Sequence, residues 1–298
     1  MPRGSGAKPS APSLNARLVL GTAVGRVSDF GRAEVAEALP RLFVMILPDL
    51  IDSHQISPIH HPAHVADALS RILVGERAPD SDWLPVLTAA LLHDCAFGRV
   101  ARPGEKKISK SSILKETGEE RERVIEKGIR QRLDHMQVGA EVAARVLRGF
   151  NGGFGATFSG PCINEVCRLI QIHDHPSIQE YESLRQSPSG RVWLFNPDDR
   201  LIKFFREADR LWMLTRDGID EDLERAAAEK TDANRRARLT QNRERHREEM
   251  LQYIGAFGPG AEDTYGFIGK TLYRTSTGFR LFQEAETVLW PPPSPPAG

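Results

Sequence analysis

The hydrophobic and polar positions of this 298-residue chain follow mainly a helical period, with apolar residues three and four positions apart. Little of the chain shows the two-residue alternation that is typical of a half-buried strand. The helical pattern falls in seven segments: residues 30–50, 61–75, 82–95, 117–149, 161–174, 198–216 and 220–256. We therefore predict an all-α protein.

Two stretches between the predicted helices depart from this pattern and predict irregular connections. Residues 149–160 contain repeated glycines, which give the backbone the freedom of a loop. Residues 176–197 are rich in Ser, Pro and Asn, which also favour loops. At the ends of the chain, composition predicts a flexible leader over 1–13 and an extended Pro-rich tail over 291–298.

Composition and charge are those of an ordinary globular protein. Hydrophobic residues make up 40% of the chain and charged residues 27%, which argues against a wholly disordered or fibrous chain. Because 40 basic residues balance 40 acidic ones, net charge provides no attraction for nucleic acid or for an anionic membrane. The apolar runs are too short to span a bilayer, and the N-terminus lacks the apolar core of a signal peptide. We therefore expect a soluble, cytoplasmic protein.

Six polar side chains fall where the helical pattern requires apolar ones. His93 follows Ala89 and Ala90 by four and three positions, so it shares their apolar face. Asp94 follows Leu91 by three positions and lies on the neighbouring apolar face. The same phase places four further side chains on apolar faces: His61, His135, His173 and Asp209.

A shared metal site explains this set better than six separate buried groups. Each imidazole or carboxylate that faces inward costs several kcal/mol to desolvate unless a partner neutralises it. A divalent cation neutralises and coordinates all of them together. Imidazole nitrogen and carboxylate oxygen suit Mn, Fe, Zn, Ni or Co, whereas Ca and Mg prefer shells made only of oxygen.

The order of these residues resembles that of a known family. His61, the pair His93-Asp94 in AALLHDCA, and Asp209 in FREADRLWML are similar to the H…HD…D signature of the HD-domain metal-dependent phosphohydrolase superfamily. The segments HMQVGAEVAARVL and LIQIHDH resemble the two extra histidine helices of members that hold two metal ions. The resemblance covers about residues 58–216.

The resemblance implies a helical bundle with two divalent transition-metal ions, iron or manganese, with zinc, nickel and cobalt also compatible. One ion is then held by four side chains: His61, His93, Asp94 and Asp209. The second is held by His135 and His173, and Asp94 bridges the two and has the catalytic position. The implied reaction is hydrolysis of a phosphate ester of a nucleotide or other small molecule by a metal-activated water.

Departures from the family pattern leave the reaction open. His93-Asp94 is followed by CAFGR rather than by x-G-K, and His173 is followed by Asp174 without a GYP motif, so we do not expect cyclic di-GMP hydrolysis. The missing lysine favours an alternative, a di-iron HD-domain oxygenase that cleaves a C–C or C–P bond with dioxygen. A third interpretation is a non-catalytic module that retains only the fold.

The choice of two histidine ligands also has alternatives. His60 or His64 could replace His61, although the spacing to Val65 favours His61. His175 could replace His173, although helical phase favours His173. The residues that bind the substrate, and the oligomeric state, are not indicated by the sequence.

These features divide the chain into five predicted parts. The leader (1–13) precedes an N-terminal helical segment (14–57), and the tail (291–298) ends the chain. An HD-like metal-binding helical domain is expected over 58–216. Residues 217–290 are expected to form a charged helix and a C-terminal segment that packs on the core.

Overall fold

The described part of the chain is built from helices, as the hydrophobic period predicts. The computed structural model describes residues 14–53, 60–96, 108, 110–187, 189–191, 196, 199–212 and 273–289. Over these residues the structure contains helices, turns and bends but no strand, which confirms the prediction of an all-α fold. The predicted leader, Pro-rich tail and charged helix lie outside the described residues.

The bounds of the helices agree with most of the periodic segments. In chain order they are α1 (Leu14–Asp29), α2 (Ala33–Ser53), α3 (His60–Gly75), α4 (Asp80–Leu92), α5 (Lys110–Leu114), α6 (Gly118–Phe154), α7 (Gly160–Ile172), α8 (His175–Ser183), α9 (Arg200–Leu211) and α10 (Ser276–Leu289). None of these helices, within the residues that the structure describes, combines the length and apolar character needed to cross a membrane.

Helix α3 lies at the centre of the packing. It contacts α1, α4, α9 and α10, while α7 packs against α4 and α6. The main hydrophobic core joins these helices, and fully buried residues such as Leu69, Leu91 and Ile170 form its interior. A smaller cluster, which includes Ile129 and Tyr181, joins α5, α6 and α8.

Local capping interactions determine where two of these helices begin. The Ser159 side chain accepts a hydrogen bond from the Cys162 backbone N–H at the start of α7. The Asp199 side chain accepts from the backbone N–H groups of Leu201 and Ile202 at the start of α9. These caps position the two helices that carry His173 and Asp209.

Two predicted irregular stretches are partly helical, so those predictions were wrong for residues 149–154 and 176–183. Helix α6 continues through the first glycines of 149–160, because Phe150 is buried in the core there. The helix ends at Gly155, whose φ of 94° requires a glycine. Within 176–197, helix α8 forms because its proline stands in the first turn, where proline is tolerated, and because Ile178 and Tyr181 bury one face.

The C-terminal helix docks on the two helices α3 and α9. The buried Glu207 carboxylate of α9 accepts hydrogen bonds from the backbone N–H groups of Arg274, at 2.6 Å, and Thr275, at 3.0 Å. Glu76, which follows α3, accepts from the Thr277 N–H at 2.8 Å. These carboxylates satisfy N–H groups that would otherwise lack partners at the start of α10. Three residues of this segment join the main core: Tyr273, Leu281 and Phe282.

Candidate metal centre

Two groups of histidine and aspartate side chains meet where α3, α4, α6, α7 and α9 converge. The first group contains His61, His93 and Asp94, and the second contains Asp94, His135 and His173. Within each group the candidate ligand atoms all lie within 4.8 Å of one another. All four histidines are buried. The structure therefore brings together residues that are far apart in the chain, with Asp94 common to both groups.

The first half of the centre joins α3, the end of α4, and α9. The Nε2 atoms of His61 and His93 lie 2.8 Å apart. Asp94 Oδ2 lies 3.6 Å from the first nitrogen and 3.7 Å from the second. Asp209 Oδ1 approaches the same two nitrogens at 3.2 and 3.6 Å. Two imidazole nitrogens and two carboxylate oxygens thus face one common space.

The second half of the centre joins α6 and the end of α7. The Nε2 atoms of His135 and His173 lie 3.2 Å apart. Asp94 Oδ1 lies 3.4 Å from His135 Nε2 and 3.9 Å from His173 Nε2. The two oxygens of the Asp94 carboxylate therefore face the two different pairs of histidines.

These distances fit metal coordination. Two donor atoms that bind one ion at about 2.1 Å, at right angles to each other, lie about 3 Å apart. The donor pairs described above span 2.8–3.9 Å in the two halves. A proton or a metal ion between two imidazole nitrogens makes such a short separation favourable. Nitrogen and carboxylate oxygen donors suit divalent transition metals.

Backbone carbonyl groups orient two of the four imidazoles. His93 and His173 are the residues that cap the C-termini of α4 and α7. Each donates its Nδ1–H to the carbonyl oxygen three residues earlier, at 2.9 Å to Ala90 and at 2.7 Å to Ile170. Since a carbonyl only accepts, the neutral ring then carries its free lone pair on Nε2, toward the centre.

Burial keeps two of the imidazoles in the neutral form that binds metal. Burial lowers the pKa of His173 to about 4, and the neighbouring imidazoles of His135 and His93 add to this effect. Burial also lowers the pKa of His61. Both rings are therefore neutral near pH 7, so a metal ion does not need to displace a proton from either of them.

The carboxylates make the first half attractive to positive charge. Burial opposes a charge on His93, but the carboxylates of Asp94 and Asp209 outweigh it and raise the pKa of His93 to about 9. Burial also disfavours the ionised Asp209, but hydrogen bonds from His61 and His93 outweigh it and hold the pKa of Asp209 well below its usual range. The carboxylates of Asp94 and Asp209 therefore attract a cation into this enclosed space, either a proton on His93 or a metal ion.

Two aromatic side chains from α9 and its C-terminus border the histidines. The Phe205 ring lies 5.4 Å from the His93 ring and 6.0 Å from the His173 ring, edge to face in both cases. The Trp212 ring lies 5.5 Å from the ring of His61 and 4.9 Å from that of His64. Sequence reasoning gave neither aromatic residue a part in the site, although both lie on the helical face that carries Asp209.

The structure also places the alternative histidines. His61 belongs to the first group, whereas His64 packs against Trp212, and the side chain of His60 lies outside the described residues. His173 belongs to the second group. His175 is buried at the first residue of α8 and belongs to neither group.

A glycine allows α6 to approach the His93 turn. A Cβ atom on Gly139 would lie only 3.3 Å from the His93 carbonyl oxygen and 3.3 Å from Cγ2 of Ile170. Cys95 is fully buried beside it, with Sγ 3.8 Å from the Gly139 carbonyl oxygen. Burial, with the nearby Asp94 carboxylate, raises the pKa of the Cys95 thiol to about 12, so this thiol stays protonated and contributes packing.

The described residues thus form an all-helical fold that contains a candidate metal-binding cluster of histidine and aspartate side chains. Comparison of the chain with protein-family models, with curated proteins and with solved structures finds no match. The donor atoms themselves are therefore the basis for assigning a function.

Proposed function

We propose that this chain is an HD-domain metal-dependent phosphohydrolase that holds two divalent ions in the His/Asp centre. One observation carries the proposal: the two oxygens of Asp94 face different histidine pairs, at 3.6 Å from His61 and 3.4 Å from His135. A carboxylate in this position can bridge two ions. The order of the residues in the chain, with the HD pair at the end of α4, agrees with the family signature.

The proposed ligand set divides into two unequal halves. The first ion would be held by His61, His93, Asp94 and Asp209. The second would be held by His135, His173 and the other oxygen of Asp94. Because the second half offers fewer protein donors, it leaves more positions open for water and substrate. Iron or manganese is the preferred occupant, and zinc, nickel or cobalt is compatible with the same donors.

The chain's own residues prepare this site for the hydrolysis of a phosphate ester. When bound, divalent ions supply Lewis acidity and make a water molecule nucleophilic near neutral pH. Asp94 spans the two halves and is the proposed catalytic residue, because it can orient groups on both sides. Phe205 and Trp212 exclude bulk water from one side of the histidines, which strengthens electrostatic interactions inside the site.

Charge favours an anionic small molecule as substrate. Two divalent cations outweigh the two carboxylates of Asp94 and Asp209, so the loaded centre is positive and attracts a phosphoryl group. We propose a phosphate ester of a nucleotide or another small metabolite as the substrate and the cytoplasm as the location. The net charge of zero provides no general attraction for nucleic acid polymers.

Metal analysis and an activity screen test the proposal together. The chain is purified anaerobically, its metal content is measured, and it is assayed against a panel of phosphate esters. His93→Ala and Asp94→Ala should lose bound metal and turnover, whereas Asp80→Ala, at an exposed carboxylate of α4, should keep both. Full activity and full metal content in both centre variants would contradict the proposal.

A second candidate, a di-iron oxygenase that cleaves a C–C or C–P bond, is favoured by one observation. The chain has Phe97 at the position where hydrolytic members of the resembled family commonly carry a lysine. Oxygen consumption by the iron-loaded protein with phosphonate compounds, together with a mixed-valent EPR signal, would favour the oxygenase. Phosphate release from esters without oxygen would favour the hydrolase. A protein without tightly bound metal would instead be a non-catalytic module.

A further inference from the structure

A second His-Asp pair lies beside the centre, and its aspartate has a different partner. His173-Asp174 follows α7 in the same way that His93-Asp94 follows α4, and both histidines donate Nδ1–H to the carbonyl three residues earlier. Asp94 directs its carboxylate into the centre. Asp174 instead forms an ion pair with Arg132 of α6.

Arg132 connects three parts of the chain. Besides its ion pair with Asp174, it donates from Nη2 to the Tyr181 hydroxyl of α8 at 2.9 Å. Its guanidinium group lies 4.9 Å from the centroid of the Tyr181 ring. The Tyr181 hydroxyl in turn donates to the Ile108 carbonyl at 2.8 Å. The side chains of Arg132 and Asp174 are only 16% and 13% exposed, so this network is largely shielded from water.

The network lies next to the second half of the centre, which His135 and His173 form. Arg132 lies three residues before His135 on α6, so both side chains are on the same side of that helix. Asp174 directly follows His173. The ion pair therefore fixes the separation between α6, which carries His135, and the turn after α7, which carries His173. The Nε2 atoms of these two histidines are 3.2 Å apart.

We propose that Arg132 is a positioning residue for the second metal ion. It ties α6 to the turn between α7 and α8 and holds the Asp174 carboxylate out of the centre. This inference rests on the proposed function, because it assumes that His135 and His173 are ligands. The first half of the centre, formed by α3, α4 and α9, does not depend on this ion pair.

The test measures the binding of Mn²⁺ to the metal-free full-length chain by calorimetry, with metal content determined in parallel. In Arg132→Met, affinity for the second ion should fall about 10–100-fold, as for other residues that orient metal ligands. Affinity for the first ion should stay at the wild-type value. Arg132→Lys should recover only part of the loss, because an ammonium group cannot reproduce the planar fork of the guanidinium. Arg123→Met, at an exposed ion pair of the same helix, is the matched control and should bind both ions normally.

A double variant separates positioning from folding. Arg132→Met leaves Asp174 without its counter-charge, which alone can destabilise the fold. Arg132→Met/Asp174→Asn removes both charges, so it should fold and still bind the second ion weakly. Wild-type affinity for both ions in this double variant would overturn the inference, as would an equal loss of both ions in Arg132→Met. Two ions in the wild type with unchanged affinity for both in Arg132→Met would overturn this inference alone, whereas a wild-type chain that binds no ion would overturn the proposed function as well.

Discussion

The imidazoles of His61 and His93 meet at 2.8 Å between their Nε2 atoms, although 32 positions separate them in the chain. His93 donates its Nδ1–H to a backbone carbonyl, so its neutral ring presents an unprotonated nitrogen at this contact. A proton or a metal ion can occupy the space beside this nitrogen, so the two compete for it. Binding of a metal ion at this contact is therefore sensitive to pH.

We predict that affinity for the first metal ion rises with pH up to about 9. The pKa of His93 is raised to about 9, so below that pH a metal ion must displace its proton. Affinity should therefore increase up to about tenfold per pH unit between roughly pH 6 and pH 8. His173, with its pKa lowered to about 4, adds no dependence in this range. Calorimetric titration with Mn²⁺ at several pH values measures the slope, and a flat profile would contradict the prediction.

Substitution of His173 and substitution of His175 should have different effects on metal content. Both are buried and lie two residues apart, but His173 belongs to a candidate ligand group with His135 and His175 does not. We expect His173→Ala to lose one of two bound Mn²⁺ ions and His175→Ala to retain both. Metal content after saturation and gel filtration provides the measurement. The reverse result would assign the ligand role to His175.

Gly139→Ala should weaken both the fold and the centre. The added Cβ would meet the His93 carbonyl at 3.3 Å, and a backbone atom cannot rotate away. We expect a loss of about 1–2 kcal/mol in the free energy of unfolding, as in other overpacked sites, together with weaker metal binding because α6 and the His93 turn separate.

Gly149→Ala is the control for that substitution. Gly149 lies in the same helix, and a Cβ there meets no atom within 4 Å. Alanine should therefore stabilise the protein by about 0.5–1 kcal/mol through its higher helix propensity. Urea denaturation of both variants compares the two effects. Equal stabilisation in both would show that the contact at Gly139 is unimportant.

Glu207→Gln should change how stability depends on pH. Burial raises the pKa of Glu207 from its ordinary value of 4.5 to about 7, although hydrogen bonds from Thr275 and Arg274 oppose this. The unfolded chain therefore loses this proton at lower pH than the folded protein does. The contribution of Glu207 to stability is complete below about pH 4.5 and is lost as pH rises through about 7.

The wild type should therefore lose roughly 3 kcal/mol relative to Glu207→Gln between these two pH values. Because the two proteins share every other titratable group, the difference between their free energies of unfolding reports on Glu207 alone. Denaturant unfolding at several pH values, each without added metal, measures it. A difference that stays constant from about pH 4.5 to about 7.5 would contradict the prediction.

Helical period predicted much of the fold because it is a local property of the chain. Helices α3, α4 and α7 lie close to the segments in which apolar residues recur three and four positions apart. Helix α8 was not predicted, because its proline and the serines of 176–197 suggested a loop. What stabilises α8 is burial of Ile178 and Tyr181 against α6, a contact that no local pattern reports.

The sequence alone indicated six ligand-type side chains in phase with apolar helical positions, because 3.6 residues per turn fixes the phase of each residue relative to its neighbours. Only the tertiary structure decided which of these side chains meet. The separation of His135 from His173, the pairing of Arg132 with Asp174 and the docking of Thr275 on Glu207 join residues 38, 42 and 68 positions apart. Such distances depend on how whole helices pack against one another, and packing is set by the complete core rather than by any one segment.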